Sequence, residues 1–163
     1  MTWTDRLTHP WLTIRLQLAL GAIFIAAALP KIADPPSFAH MIYNYRILPA
    51  GLINITALLL PWLELVTGAA LIIGVWKRPA RWLITAMLVV FMIAISINLI
   101  RGNAIDCGCF DTSLAGRTWE ERISDMWWVL IRDAGMLLML AQMAWAERRE
   151  RFFGTPDADL QSE

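Results

Sequence analysis

The sequence predicts an all-α integral membrane protein: a four-helix bundle with a short interfacial helix between spans 1 and 2. Three observations lead there. Apolar residues make up 58% of the 163 residues and charged ones 17%, against about 45–50% and about 25% in soluble domains. The apolar residues fall in four long blocks, and a bilayer is crossed by about 20 consecutive apolar residues. Six of the nine tryptophans lie near the ends of those blocks, where an aromatic belt meets the membrane–water boundary. Formal charge is zero, which leaves no basic face of the kind a nucleic-acid partner requires. Residues 1–153 read as one membrane domain and 154–163 as a polar tail.

The first span covers roughly residues 11–29. Arg6 and Arg15 ahead of an apolar run ending in Ala26-Ala27-Ala28 also fit a cleavable signal peptide. The three further spans and the turn-like stretch at residues 31–36 favour a span. Ala22 and Ala26 form a small-xxx-small pair, which predicts close approach of another helix on that face. Pro30 is expected to end the span, with Lys31 at its outlet.

Asp34-Pro35-Pro36-Ser37 breaks the chain. Phe38, Met41, Ile42 and Tyr45 follow at i, i+3, i+4 and i+7, the spacing of one helical face. A short amphipathic stretch between spans predicts a helix lying in the interface, with Tyr43, Tyr45 and Arg46 at headgroup level.

The second span covers about residues 49–75, with Pro61 near its middle. Proline removes one backbone hydrogen bond and clashes with the carbonyl four residues back, here that of Ala57, so a kink is expected. Glu64 follows one turn later, and Gly68 leaves room beside it. Residues 76–82 read as a tight basic turn, residues 83–100 as the third span, and residues 126–146 as the fourth, with Arg132 and Asp133 inside it. Residues 147–153 extend that span as a charged helical end before Gly154 and Pro156.

Four spans place both termini on one side. The terminal segments and the short turn carry Arg6, Arg15, Lys77, Arg78, Arg81, Arg148, Arg149 and Arg151. The other two loops carry Lys31, Arg46, Arg101, Arg117 and Arg122. The basic excess marks the cytoplasmic side, so the termini are expected inside and the loop after the third span outside.

That loop holds Cys107 and Cys109, the two cysteines of the chain, with Gly108 between them. Outside the cytoplasm disulfides persist, and a turn at glycine lets the two Cα atoms come within bonding range, ~7 Å. A ring closed over one residue is tight, and strained disulfides are the more oxidising ones. Such a pair suits passing oxidation to another thiol. The alternatives are a pair that stays closed or buried, and a metal site shared between two chains. Metal is disfavoured because tetrahedral sites usually need four ligands and His9 and His40 are badly placed.

Ionisable groups inside a bilayer are costly unless paired. Glu64 and Arg132 fall at depths where the two can meet as an ion pair in the bundle interior, with Asp133 pointing elsewhere, although the sequence does not show whether they touch. The pair either fixes how the helices dock or lets Glu64 exchange protons as a buried carboxylate. Lys31, Asn98 and Arg101 fall at the cysteine end of their spans, Asn98 and Arg101 on one helical face. A cation near a cysteine favours the reactive thiolate, and Arg101, six residues before Cys107, is the candidate.

The ordered motifs Leu29-Pro30-Lys31-Ile32-Ala33-Asp34-Pro35, Asn44-Tyr45-Arg46-Ile47-Leu48-Pro49, Pro61-Trp62-Leu63-Glu64-Leu65-Val66-Thr67-Gly68, Asn98-Leu99-Ile100-Arg101-Gly102 and Asp106-Cys107-Gly108-Cys109-Phe110 together resemble the MauE branch of the DoxX family. The resemblance covers nearly the whole four-span core. It implies a redox-associated, multi-pass protein of the bacterial inner membrane, linked to disulfide formation in periplasmic proteins, with the Cys-Gly-Cys loop as its working part.

The first reading that follows is a thiol–disulfide oxidoreductase acting on a periplasmic thiol protein. Its catalytic residues would be Cys107, Cys109, Glu64 and Arg101. By analogy with other four-helix disulfide-generating proteins, the electron acceptor would be a quinone held near Glu64, Trp62 and Arg132. A second reading is a non-enzymatic membrane anchor or assembly subunit for a soluble oxidoreductase. A third is a quinone-reactive subunit of a respiratory or sulfur-oxidising complex. Beyond a quinone no cofactor is implied, and an oligomer is compatible with all three.

Overall fold

The computed structural model describes residues 10–103 and 118–152, and within them every regular element is helical. Four helices are long and apolar enough to cross a membrane. They are α1 (Pro10–Ala33), α3 (Ala50–Ile73), α4 (Lys77–Ile100) and α5 (Trp119–Phe152), with the short α2 (Pro35–Asn44) between the first two. At 1.5 Å per residue, the 24 residues of α1, α3 and α4 comfortably exceed a ~30 Å hydrocarbon core. The expected bundle with an intervening short helix is what forms.

Three boundaries differ from the sequence reading. Pro30 lies inside α1 rather than ending it. It sits in the last turn and forfeits the hydrogen bond to the Ala26 carbonyl, but the helix continues past it and the Asp34 N–H donates to the Pro30 carbonyl at 3.1 Å. The basic turn belongs largely to α4, which begins at Lys77. The reversal is made instead by Gly74 and Trp76, both left-handed at φ 82° and 51°, and Pro79 falls in the first turn, where proline is tolerated. Finally, α5 starts at Trp119, not near Met126. The Glu121 carboxylate accepts from the Thr118 N–H at 2.8 Å while the Thr118 hydroxyl accepts from the Glu121 N–H at 3.3 Å. This reciprocal pair is a capping box, and it was readable in the sequence as Thr118-Trp119-Glu120-Glu121.

The short helix buries its expected apolar face, but Tyr45, expected at headgroup level, is buried at its C-cap. The Asp34 side chain caps it by accepting from the Ser37 N–H at 3.2 Å, and Phe38, Met41 and Ile42 turn inward. They pack on Ile53 and Ala57 of α3, and Tyr45 closes against Ile95 and Met126. Asn98 of α4, fully buried, donates to the Tyr45 carbonyl at 3.1 Å. The chain leaving α2 is thus tied to the end of the bundle where α4 finishes and α5 begins.

The α1–α3 contact is the most intimate in the bundle. A Cβ placed on Gly21 would meet the Gly68 carbonyl oxygen at 2.7 Å, and one on Gly68 would meet the Gly21 carbonyl oxygen at 2.8 Å. This crossing, not the expected Ala22/Ala26 pair, is where two helices touch backbone to backbone; both alanines face outward. Gln17 adds a side-chain hydrogen bond to the Leu71 carbonyl across the same seam. Leu20, Phe24, Leu71, Ile84, Leu88, Met136 and Leu140 fill the space between all four long helices. In lipid such packing acts through van der Waals contact and interhelical hydrogen bonds rather than the hydrophobic effect.

A candidate functional site among buried charges

Inward-facing residues recur every seven positions on each long helix: Gln17, Phe24 and Lys31; Ala57, Glu64 and Leu71; Arg81, Leu88 and Ile95; Met126, Asp133 and Leu140. All of them are buried. Three of these interior positions converge as Lys31, Glu64 and Asp133 around one cavity of about 80 Å³. On that measure a water needs ~10–15 Å³, so the space suits a few waters or a polar group displacing them.

The Lys31 amine donates to both Glu64 carboxylate oxygens at 2.7 Å, with the two side chains 7% and 12% exposed. Helical side chains lean toward the helix N-terminus. Lys31, near the end of α1, therefore leans into the bundle instead of out to water. Glu64 leans back along α3 to meet it. The amine also stands 5.2 Å from the centre of the Phe38 ring, a cation–π distance, which brings α2 into the cavity wall.

Across the cavity, Arg132 donates to one oxygen of Asp133 through Nε at 3.0 Å and Nη2 at 2.8 Å. Asp133 is fully buried, and its other oxygen, Oδ2, has no hydrogen-bond partner among the described residues. Two cations and two carboxylates make the cluster formally neutral, which is how buried ions become tolerable. Phe24, Phe91 and Met136 complete apolar walls.

These contacts revise the expected pairing. Glu64 is matched by Lys31, not by Arg132, and Asp133 points inward rather than elsewhere. Helical periodicity shows why: Asp133 is seven residues from both Met126 and Leu140, so it shares their inward stripe. That spacing was the signal available in the sequence. Trp62 is 51% exposed and lies outside the cavity, because two residues before Glu64 is about 200° around the helix. Arg101 caps the end of α4 and is exposed. Cys107 and Cys109 lie outside the described residues, between α4 and α5 in the sequence. Among the described residues no group of His, Cys, Asp and Glu is arranged to hold a metal ion.

Comparison with known proteins gives a consistent set of matches. Residues 9–146 match the family described as methylamine utilisation protein MauE. The methylamine utilization protein MauE of Methylorubrum extorquens is 35% identical over 141 residues, covering 85% of this chain and 72% of that protein. The protein of that name from Paracoccus denitrificans is 36% identical over 111 residues, covering 68% of this chain and 60% of its own length. The one from Paracoccus versutus is 34% identical over 152 residues, covering 93% and 78%. No solved structure matches.

Proposed function

The chain belongs to the MauE family, and from that membership we propose that it supports disulfide formation in periplasmic proteins, as an accessory to a pathway of the methylamine-utilisation kind. In this reading it lies in the bacterial inner membrane with its termini in the cytoplasm and the segment carrying Cys107 and Cys109 in the periplasm. The basic residues of its turns and ends support that orientation.

The relay runs through the two sulfurs. A thiolate of a periplasmic dithiol protein attacks the Cys107–Cys109 disulfide and releases one cysteine as a thiolate. The second thiol of that protein then attacks the mixed disulfide and leaves with its own disulfide formed. The chain now holds two reduced cysteines, having taken up two electrons. Arg101, at the end of α4, supplies positive charge on the approach to the cysteine segment and so favours the thiolate form.

A quinone would supply the two-electron acceptor, taking the electrons and two protons as the Cys107–Cys109 bond re-forms. The chain's interior suits its head group. Lys31 and Arg132 are donors for carbonyl oxygens, Phe24, Phe38 and Phe91 flank a planar ring, and Asp133 has one oxygen that no described residue hydrogen-bonds, available to exchange a proton. Glu64 holds Lys31 in place, a positioning role. Trp62 faces outward and is assigned no part in this site.

The observation that carries the reading is the formally neutral cluster of Lys31, Glu64, Arg132 and Asp133 around one cavity, with Phe38 of α2 in its wall. Ionisable groups at such depth mark function by default. The test is trapping: in a Cys109→Ser variant the Cys107 thiolate should attack the disulfide of the oxidised periplasmic protein, the reverse of the second exchange, and with no neighbouring cysteine to resolve it the mixed disulfide should accumulate, visible on a non-reducing gel. Absence of any reducible adduct would contradict the relay.

A further inference from the structure

The opposite end of the bundle carries a second concavity, unrelated to the charge cluster. Where α4 begins and α5 ends, residues of the two helices line a groove of about 500 Å³. Its floor is apolar and kept low by small side chains, with Leu137, Ala141 and Ala144 on α5. Its mouth is basic: Arg78, Arg81 and Arg148 stand there with one acid, Glu147, a formal excess of two positive charges.

The arginines are not equivalent. Arg81 is buried and held by Glu147 in a close ion pair. Arg78 has its side chain 61% exposed and lies 3.9 Å from the same carboxylate, at the outer limit of an ion pair, so most of its guanidinium faces outward. Arg148 is exposed at the end of α5. Trp82, 73% exposed, stands beside them, as tryptophan does at the headgroup level.

The dimensions match one leaflet. From Leu137 to Arg148 is eleven residues of α5, about 16 Å at the helical rise, close to half of a ~30 Å hydrocarbon core. A basic mouth over an apolar trough of that depth has the polarity profile of a phospholipid, head at the rim and chain along the floor. A small soluble anion would use the mouth and leave the floor empty. We propose that this groove is a binding site for an anionic phospholipid of the leaflet opposite α2, with the two excess charges best matched by a doubly charged head group such as that of cardiolipin.

The experiment uses the purified full-length chain in a non-ionic detergent, offered cardiolipin, phosphatidylglycerol and phosphatidylcholine at equal concentration and read by native mass spectrometry. Wild type should retain cardiolipin roughly tenfold over phosphatidylcholine, phosphatidylglycerol falling between. Arg78→Gln combined with Arg148→Gln removes only exposed charge and should bring the ratio near parity. Ala141→Leu combined with Ala144→Leu fills the floor without altering charge and should lower retention of both anionic lipids. Parity in the wild type would overturn the proposal, as would a preference that survives both double variants. Displacement of cardiolipin by millimolar inorganic phosphate would also overturn it, in favour of a small-anion site.

Discussion

Lys31 decides whether the bundle interior is electrically balanced. Removing one partner of a buried ion pair strands the other and costs about 3–5 kcal/mol, whereas replacing both with apolar residues is often neutral. Lys31→Met and Glu64→Leu should therefore each lower stability by about that much, while the double variant should be more stable than either single one. Thermal denaturation in detergent, run as a double-mutant cycle, measures this. Asp133→Asn keeps an oxygen for Arg132 but removes the exchangeable proton. Because general acid–base groups contribute ~10²–10⁴-fold, quinone reduction should fall at least tenfold while thiol capture at Cys107 persists. Glu64 was legible in the sequence as a carboxylate stranded in an apolar run. Its partner was not, because spacing along one helix says which face a residue occupies and nothing of the register between helices. The direction in which Lys31 leans decided the match, and only the packed bundle fixes that.

At the scale of elements, the sequence located all five helices and misplaced how some begin and touch. Apolar runs of this length leave little freedom over which segments become spans. Contact between spans is subtler: the sequence offered Ala22 and Ala26 along one helix, but the close approach pairs Gly21 with Gly68 across two. Gly68→Val should prevent the folded protein from accumulating, since a branched side chain would press into the α1 backbone, and overpacking already costs about 1–3 kcal/mol in milder cases. Ala22→Val, on the outward face, should leave yield and melting temperature unchanged in the same size-exclusion and thermal assays. The start of α5 gives a gentler test. Thr118→Ala removes the capping hydroxyl and should cost about 1 kcal/mol, seen as faster hydrogen exchange confined to the first turn after Trp119.

For the whole molecule, four antiparallel spans bring the end of α1, all of α2 and the junction of α4 with α5 to one end, and the basic groove to the other. That topology was readable from four apolar blocks, and the interfacial helix from the spacing of Phe38, Met41, Ile42 and Tyr45. In a chain lacking Cys107 and Cys109, a cysteine placed at Gly102 should react with a membrane-impermeant thiol reagent in intact cells. One placed at Trp76 should react only after lysis. The central claim, that two sulfurs and an interior acceptor site form one electron path, is tested most directly by reconstituting the purified chain in liposomes with a quinone and supplying a reduced dithiol protein. The account predicts one hydroquinone for each disulfide formed, with both products lost when Cys107 and Cys109 are changed to serine. Quinone reduction that continues undiminished without those cysteines would contradict it.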